Sequence, residues 1–100
     1  MAWHAVLRAE DLPLGGHRRV EVLGQPILLA RLDDGWHAVH DTCLHRGASL
    51  AAGALEDTRV TCPLHFWVFD VRDGTCAQVP GLALKVFPVK LEEGTVYVDV

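Results

Sequence analysis

Two short segments of the chain each join a thiol to an imidazole. The first is Cys43-Leu44-His45, inside HDTCLHRGASL (40–50), and the second is Cys62-Pro63-Leu64-His65, inside TCPLHFWVFD (61–70). Sixteen residues separate His45 from Cys62. Each pair sits where a strand-like run ends and a loop begins. Two such loops can approach each other at one end of a sheet, which brings two thiolates and two imidazoles toward one point. A β framework that presents both loops at the same end would bring them together.

The rest of the chain reads as that framework. HAVL (4–7) is a short apolar strand, and HRRVEVLG (17–24) places Val20 and Val22 on one face. PILLARL (26–32) reads as a buried strand, the Asp33-Asp34-Gly35 turn follows, and WHAVHD (36–41) is its return strand. RVTC (59–62) and FWVFDV (66–71) form a second pair, with Arg72-Asp73-Gly74 as the next turn. ALKVFPVKLEE (83–93), Gly94 and TVYVDV (95–100) make a third hairpin. Only ASLAAGALED (48–57) can hold a turn of helix, and Gly53 interrupts it. Closely spaced strands with turns predict a small all-β fold, an antiparallel sandwich or barrel.

Two soft sulfurs with two nitrogens suit two kinds of metal centre. A structural zinc site accepts two cysteines and two histidines, and its common spacing puts like ligands together in each loop. Here each loop carries one of each. That alternation suits a cluster with unlike ends, the cysteines on one iron and the histidines on the other, as in a [2Fe–2S] centre where two histidines replace two cysteines. A nucleophilic Cys62 with His65 as base is a third reading, but no oxyanion hole or orienting acid stands at a known spacing.

Cys43-Leu44-His45-Arg46-Gly47 with Cys62-Pro63-Leu64-His65 resembles the two cluster-binding loops of Rieske proteins. The flanking FWVFD and the closing LKVFPVKLEEGTVYVDV resemble soluble Rieske-type ferredoxins and the small subunits of Rieske-type nitrite reductases. The resemblance covers nearly the whole chain. It implies a single domain over residues 1–100, with a cluster-binding lobe of about 41–81 inserted into an antiparallel β-sandwich base built from both chain ends. It implies one Rieske [2Fe–2S] cluster, with Cys43 and Cys62 on one iron and His45 and His65 on the other. Respiratory relatives carry an extra cysteine in each loop, joined as a disulfide; the matching positions here are Ala48 and Leu64. Those relatives also place Ser and Tyr hydroxyls near the cluster, where this chain has Trp67 and Phe69. Without those hydrogen bonds the expected potential lies near the bottom of the Rieske range, about −150 mV.

The implied function is one-electron transfer rather than catalysis. The chain is expected to be the ferredoxin component of a multicomponent oxygenase, with a flavoprotein reductase as donor and a terminal oxygenase or reductase as acceptor. The alternative is the small subunit of an NAD(P)H-dependent nitrite reductase; a zinc-stapled interaction module is the alternative of another class. A mononuclear-iron catalytic domain is not expected within 100 residues.

Composition agrees with these expectations. The formal net charge of −4 disfavours a nucleic-acid partner, which calls for a basic face. No apolar run approaches the roughly 20 residues of a membrane helix, and MAWHAVLRAEDL lacks a signal-peptide pattern, so the expected location is the cytoplasm. Three cysteines make a poor disulfide framework. Cys76 is read as a small buried hydrophobe, and Trp67 and Phe69 as core packing that also walls off the cluster. Leu44 and Leu64 are read as an apolar collar for docking. His4, His17, His37 and His40 are read as solvated, and Asp33, Asp34, Glu56, Asp57, Glu92 and Glu93 as ordinary turn acids.

Overall fold

The computed structural model describes residues 2–44, 47–64 and 66–100. Among the described residues ten strands form three antiparallel sheets. The first sheet has the order β1-β10-β9, from Trp3–Arg8, Thr95–Asp99 and Val89–Glu92. The second has the order β2-β3-β4-β8, from His17–Val22, Gln25–Leu32, Gly35–His40 and Val86–Phe87. The third is smaller and joins β5 (Leu55–Glu56), β6 (Arg59–Thr61) and β7 (Val68–Asp70) in order. Among the described residues no helix is long and apolar enough to cross a membrane.

The core explains the layering. β3 is apolar on both faces, so it feeds two clusters with alternate side chains. Ile27 and Leu29 pack with Val22, Ala38, Phe87, Val96 and Val98 between the first two sheets. Leu28, Ala30 and Leu32 point the other way, onto Leu50, Val60, Phe69, Val71, Leu84 and the three cysteines. The second cluster therefore lies beneath the third sheet and the two cysteine loops.

Most predicted strands form where expected, and two differ. ALKVFPVKLEE is not one strand of a hairpin. It splits at Pro88, which has no N–H to continue a ladder. β8 pairs with β4 through Ala38↔Phe87 and Val39↔Val86, while β9 crosses to pair with β10. The Pro88 carbonyl still accepts from the Asp99 N–H at 3.0 Å. FWVFDV also starts late. β7 begins at Val68, because Phe66 has left-handed backbone at φ 61° and cannot join a strand. The expected turn of helix in 48–57 is a single 3₁₀ turn, Leu50–Ala52, ended at Gly53. A second 3₁₀ turn, Ala9–Asp11, was not expected from sequence.

Candidate metal centre

The two cysteine loops have the same backbone design. In the first, the Cys43 N–H donates to the Ala48 carbonyl at 2.8 Å, and the Gly47 N–H donates back to the Cys43 carbonyl at 2.7 Å. In the second, the Cys62 N–H donates to the Trp67 carbonyl at 2.7 Å, and the Phe66 N–H donates back to the Cys62 carbonyl at 3.0 Å. Each loop thus closes on itself between its cysteine and the residues four and five positions on. The residue four on has positive φ in both, 73° at Gly47 and 61° at Phe66. The second loop is the turn of the β6–β7 hairpin, whose last pair is Thr61↔Val68.

Both thiols face the core. Cys43 is 1% exposed and Cys62 is fully buried, and both belong to the apolar cluster under the third sheet. No disulfide joins the three cysteines. Ala48 and Trp67 pack against the same cluster, and Phe69 is fully buried within it. Soft thiols in a dry, rigid setting are the donor set that an iron–sulfur centre takes, and these residues fit one. His45 and His65, the two expected nitrogen ligands, and Arg46 beside them lie outside the described residues. Cys76 is buried in the same cluster, with its thiol 3.7 Å from Gln78 Oε1.

The first loop is held by a residue that sequence reasoning passed over. Asp41 is 1% exposed, and three donors converge on its carboxylate. Ser49 Oγ donates to Oδ2 at 2.5 Å, the Ala51 N–H to Oδ1 at 2.7 Å, and Arg19 Nη1 to Oδ2 at 3.2 Å. Asp41 stands two residues before Cys43, and Ser49 follows the loop. One carboxylate therefore fastens both ends of the loop together and ties them to β2. The signal for it in the sequence was faint: an acid at the end of a strand, with a serine eight residues on.

The two loops are also pressed against each other at their flanks. The Thr61 N–H, just before Cys62, donates to the Ala54 carbonyl at 3.0 Å. A Cβ on Gly53 would stand 1.8 Å from the Thr61 carbonyl oxygen, so no larger residue fits there. His17 is not simply solvated. Its Nε2 lies 2.8 Å from the Gly53 carbonyl and links β2 to this junction. His4 is likewise half-buried, and its Nε2 finds no hydrogen-bond partner among the described residues.

Beside the β3–β4 turn, an open cleft of about 530 Å³ is lined by Leu14, Leu32, Asp33, Leu55, Asp57 and Arg72, with others. Asp34 on its wall is no ordinary turn acid. His37 Nε2 at 2.8 Å, with Arg72 Nη1 at 3.4 Å, holds its carboxyl below the usual carboxylate range.

The family model described as Rieske [2Fe-2S] domain matches residues 2–88. The chain belongs to the Rieske [2Fe–2S] domain family. Ferredoxin CarAc of Metapseudomonas resinovorans is 40% identical over 98 residues, covering 96% of this chain and 92% of the relative. The ferredoxin component of biphenyl 2,3-dioxygenase from Rhodococcus jostii is 38% identical, covering 99% and 94%. Among solved structures, a complex of reduced oxygenase and oxidized ferredoxin in carbazole 1,9a-dioxygenase contains a chain that matches with a TM-score of 0.88 and 40% identity, over 96% of this chain and 91% of that one. The all-β architecture is thus the Rieske fold, and the cofactor of the family is the Rieske-type [2Fe–2S] cluster. The iron–sulfur reading stands over the zinc reading.

Proposed function

We propose that this Rieske protein is a one-electron carrier, the ferredoxin component of a multicomponent oxygenase system. A flavoprotein reductase is its donor and a terminal oxygenase its acceptor. The observation that carries this reading is the pair of buried cysteines on two matching loops, in a chain 40% identical over nearly its full length to ferredoxin CarAc of Metapseudomonas resinovorans. Residues 1–100 act as one domain, with the loops and third sheet as a cluster-binding lobe of about 41–81. The cytoplasm is the proposed location.

Reversible one-electron reduction is the chemistry the cluster supplies when bound. Cys43 and Cys62 are proposed to hold one iron, and His45 and His65 the other. Phe69, Val60 and Leu50 close the inner side and keep water from the thiol sulfurs. Trp67 and Phe69 offer no hydroxyl to the cluster, which favours a low potential. Asp41 fixes the first loop so that reduction and oxidation proceed with little rearrangement.

The test is an electron paramagnetic resonance spectrum of the reduced protein, purified without air, beside an iron, sulfide and zinc assay. A rhombic signal with low average g and two irons per chain is expected. A silent, colourless protein holding zinc would end this reading. Tight copurification with a large sirohaem subunit would instead favour the nitrite reductase alternative.

A further inference from the structure

The two cysteine loops share one backbone but differ at one position. Four residues after its cysteine, the first loop uses Gly47 at φ 73°, and the second uses Phe66 at φ 61°. Glycine is the residue that this left-handed conformation favours, and a bulky aromatic is an outlier there. The ring is mostly left in solvent rather than packed into either core cluster among the described residues. Phe66 is 70% exposed, more than Leu64 at 57% or Leu44 at 46% in the same pair of loops. A strained backbone holding an exposed aromatic side chain points to a role outside the fold.

The charges around it narrow that role. No acidic residue occurs in 42–54, 60–69 or 74–84, and Arg46 is their single Lys or Arg, although the chain carries a formal net charge of −4. These segments are joined to one another. The Thr61 N–H donates to the Ala54 carbonyl, and the Ala77 N–H donates to the Val68 carbonyl at 2.8 Å. The acids gather elsewhere, as in the Asp33-Asp34 turn at the far end of β4.

We propose that Phe66 is the anchor of a nearly charge-free docking surface, completed by Leu64 and Leu44, that seats in an apolar pocket on a terminal oxygenase. This rests on the electron-carrier reading, because Phe66 adjoins His65, a proposed cluster ligand. It adds to that reading the residue that binds and the force that binds it. Aromatic side chains are favoured anchors at interface centres. The partner's class follows from the related chain of a ferredoxin–oxygenase complex, 40% identical and matching with a TM-score of 0.88. Hydrophobic contact also sets the salt response. Docking through Phe66 should be nearly independent of ionic strength, whereas docking through paired charges weakens as salt screens them.

The experiment compares the cluster-loaded wild type with Phe66→Asn, Phe66→Gly and Phe66→Tyr. The acceptor is the terminal oxygenase of carbazole 1,9a-dioxygenase, and ferricyanide serves as a small acceptor that needs no docking. Oxidation of the reduced protein is followed by stopped flow from 50 to 500 mM salt, beside thermal melts and the paramagnetic signal. Asn and Gly accept the left-handed backbone, so their melting temperature should rise by about 3 °C. Their second-order rate with the oxygenase should fall about 30-fold, as when an interface anchor is removed. Tyr keeps the ring and should keep the rate. The ferricyanide rate and the signal should not change, and the wild-type oxygenase rate should vary less than about twofold across the salt range.

A wild type that reduces ferricyanide but not the oxygenase overturns the proposal, as does a steep fall of rate with salt. So does an unchanged oxygenase rate in Phe66→Asn, or a lower melting temperature, which would show that the ring packs. A wild type with no paramagnetic signal would instead remove the electron-carrier reading itself.

Discussion

At the scale of single residues, the strongest demand in this molecule falls on Asp41. A buried carboxylate with three donors is stable only while those donors remain, and they in turn depend on it. Asp41→Ala leaves Ser49 Oγ and the Ala51 N–H without their acceptor and should destabilise the protein by about 3 kcal/mol. Asp41→Asn keeps one acceptor oxygen and should cost about 1 kcal/mol. Urea unfolding measures both, and chelator should strip iron faster from the Ala variant. Equal unfolding midpoints for wild type and Asp41→Ala would refute the clamp. The proposed nitrogen ligands allow a second test. In His65→Cys a third thiolate adds negative charge, so the potential should move toward the all-cysteine value, about −400 mV; an unchanged potential would show that His65 is not a ligand. The two loop cysteines, which the structure buries on matching turns, were legible because thiols are rare residue types and stood at telling spacings. Asp41 and His17 were not, because their partners, Ala51 and Gly53, contribute backbone atoms that any sequence supplies.

At the scale of elements, the loops and their junction decide whether a cluster can be held. Gly47 and Gly53 occupy the same segment for different reasons. Gly47 has positive φ and open space around it among the described residues, while Gly53 faces the Thr61 carbonyl at 1.8 Å from an added Cβ. Gly47→Ala should therefore cost only about 1 kcal/mol, the strain of its backbone. Gly53→Ala must push the strand before Cys62 away and should cost about 3 kcal/mol. Iron content after purification and the urea midpoint would rank them, and a Gly53→Ala protein as loaded and stable as wild type would refute the close approach. Strand positions were legible from alternation and turn residues, as in β3, β4 and β10. The change of sheet at Pro88 was not, since VFPVK reads equally as one strand with a proline or as two strands. The left-handed start of FWVFDV was hidden too, because an aromatic run argues for strand and only the closed turn of the second loop excludes it.

At the scale of the whole molecule, the third sheet must stay seated on the framework below it, and part of that seat responds to acid. Arg72, in the turn after β7, reaches Asp34 Oδ2 at 3.4 Å in the β3–β4 turn, so one ion pair ties the small sheet to the large one. The Asp34 carboxyl lies below its ordinary 3.8, first through the hydrogen bond with His37 and then through Arg72. Asp73 is also lowered from 3.8, chiefly because the Thr75 N–H and hydroxyl donate to it at 3.0 and 2.7 Å. A carboxyl lowered on folding contributes stability that is present above the unfolded value and lost as pH falls through the folded value. The window therefore opens near pH 3.8 and extends downward. Both groups are open to solvent, so each effect is small alone, and the double variant Asp34→Asn/Asp73→Asn is the sensitive probe. Its melting temperature, followed by circular dichroism from pH 6 to 2.5, should lie below wild type at pH 6 and converge with it in acid. Parallel curves across that range would show that neither carboxylate contributes in its charged form, and the tie between the sheets would then rest on the shared apolar core beneath them.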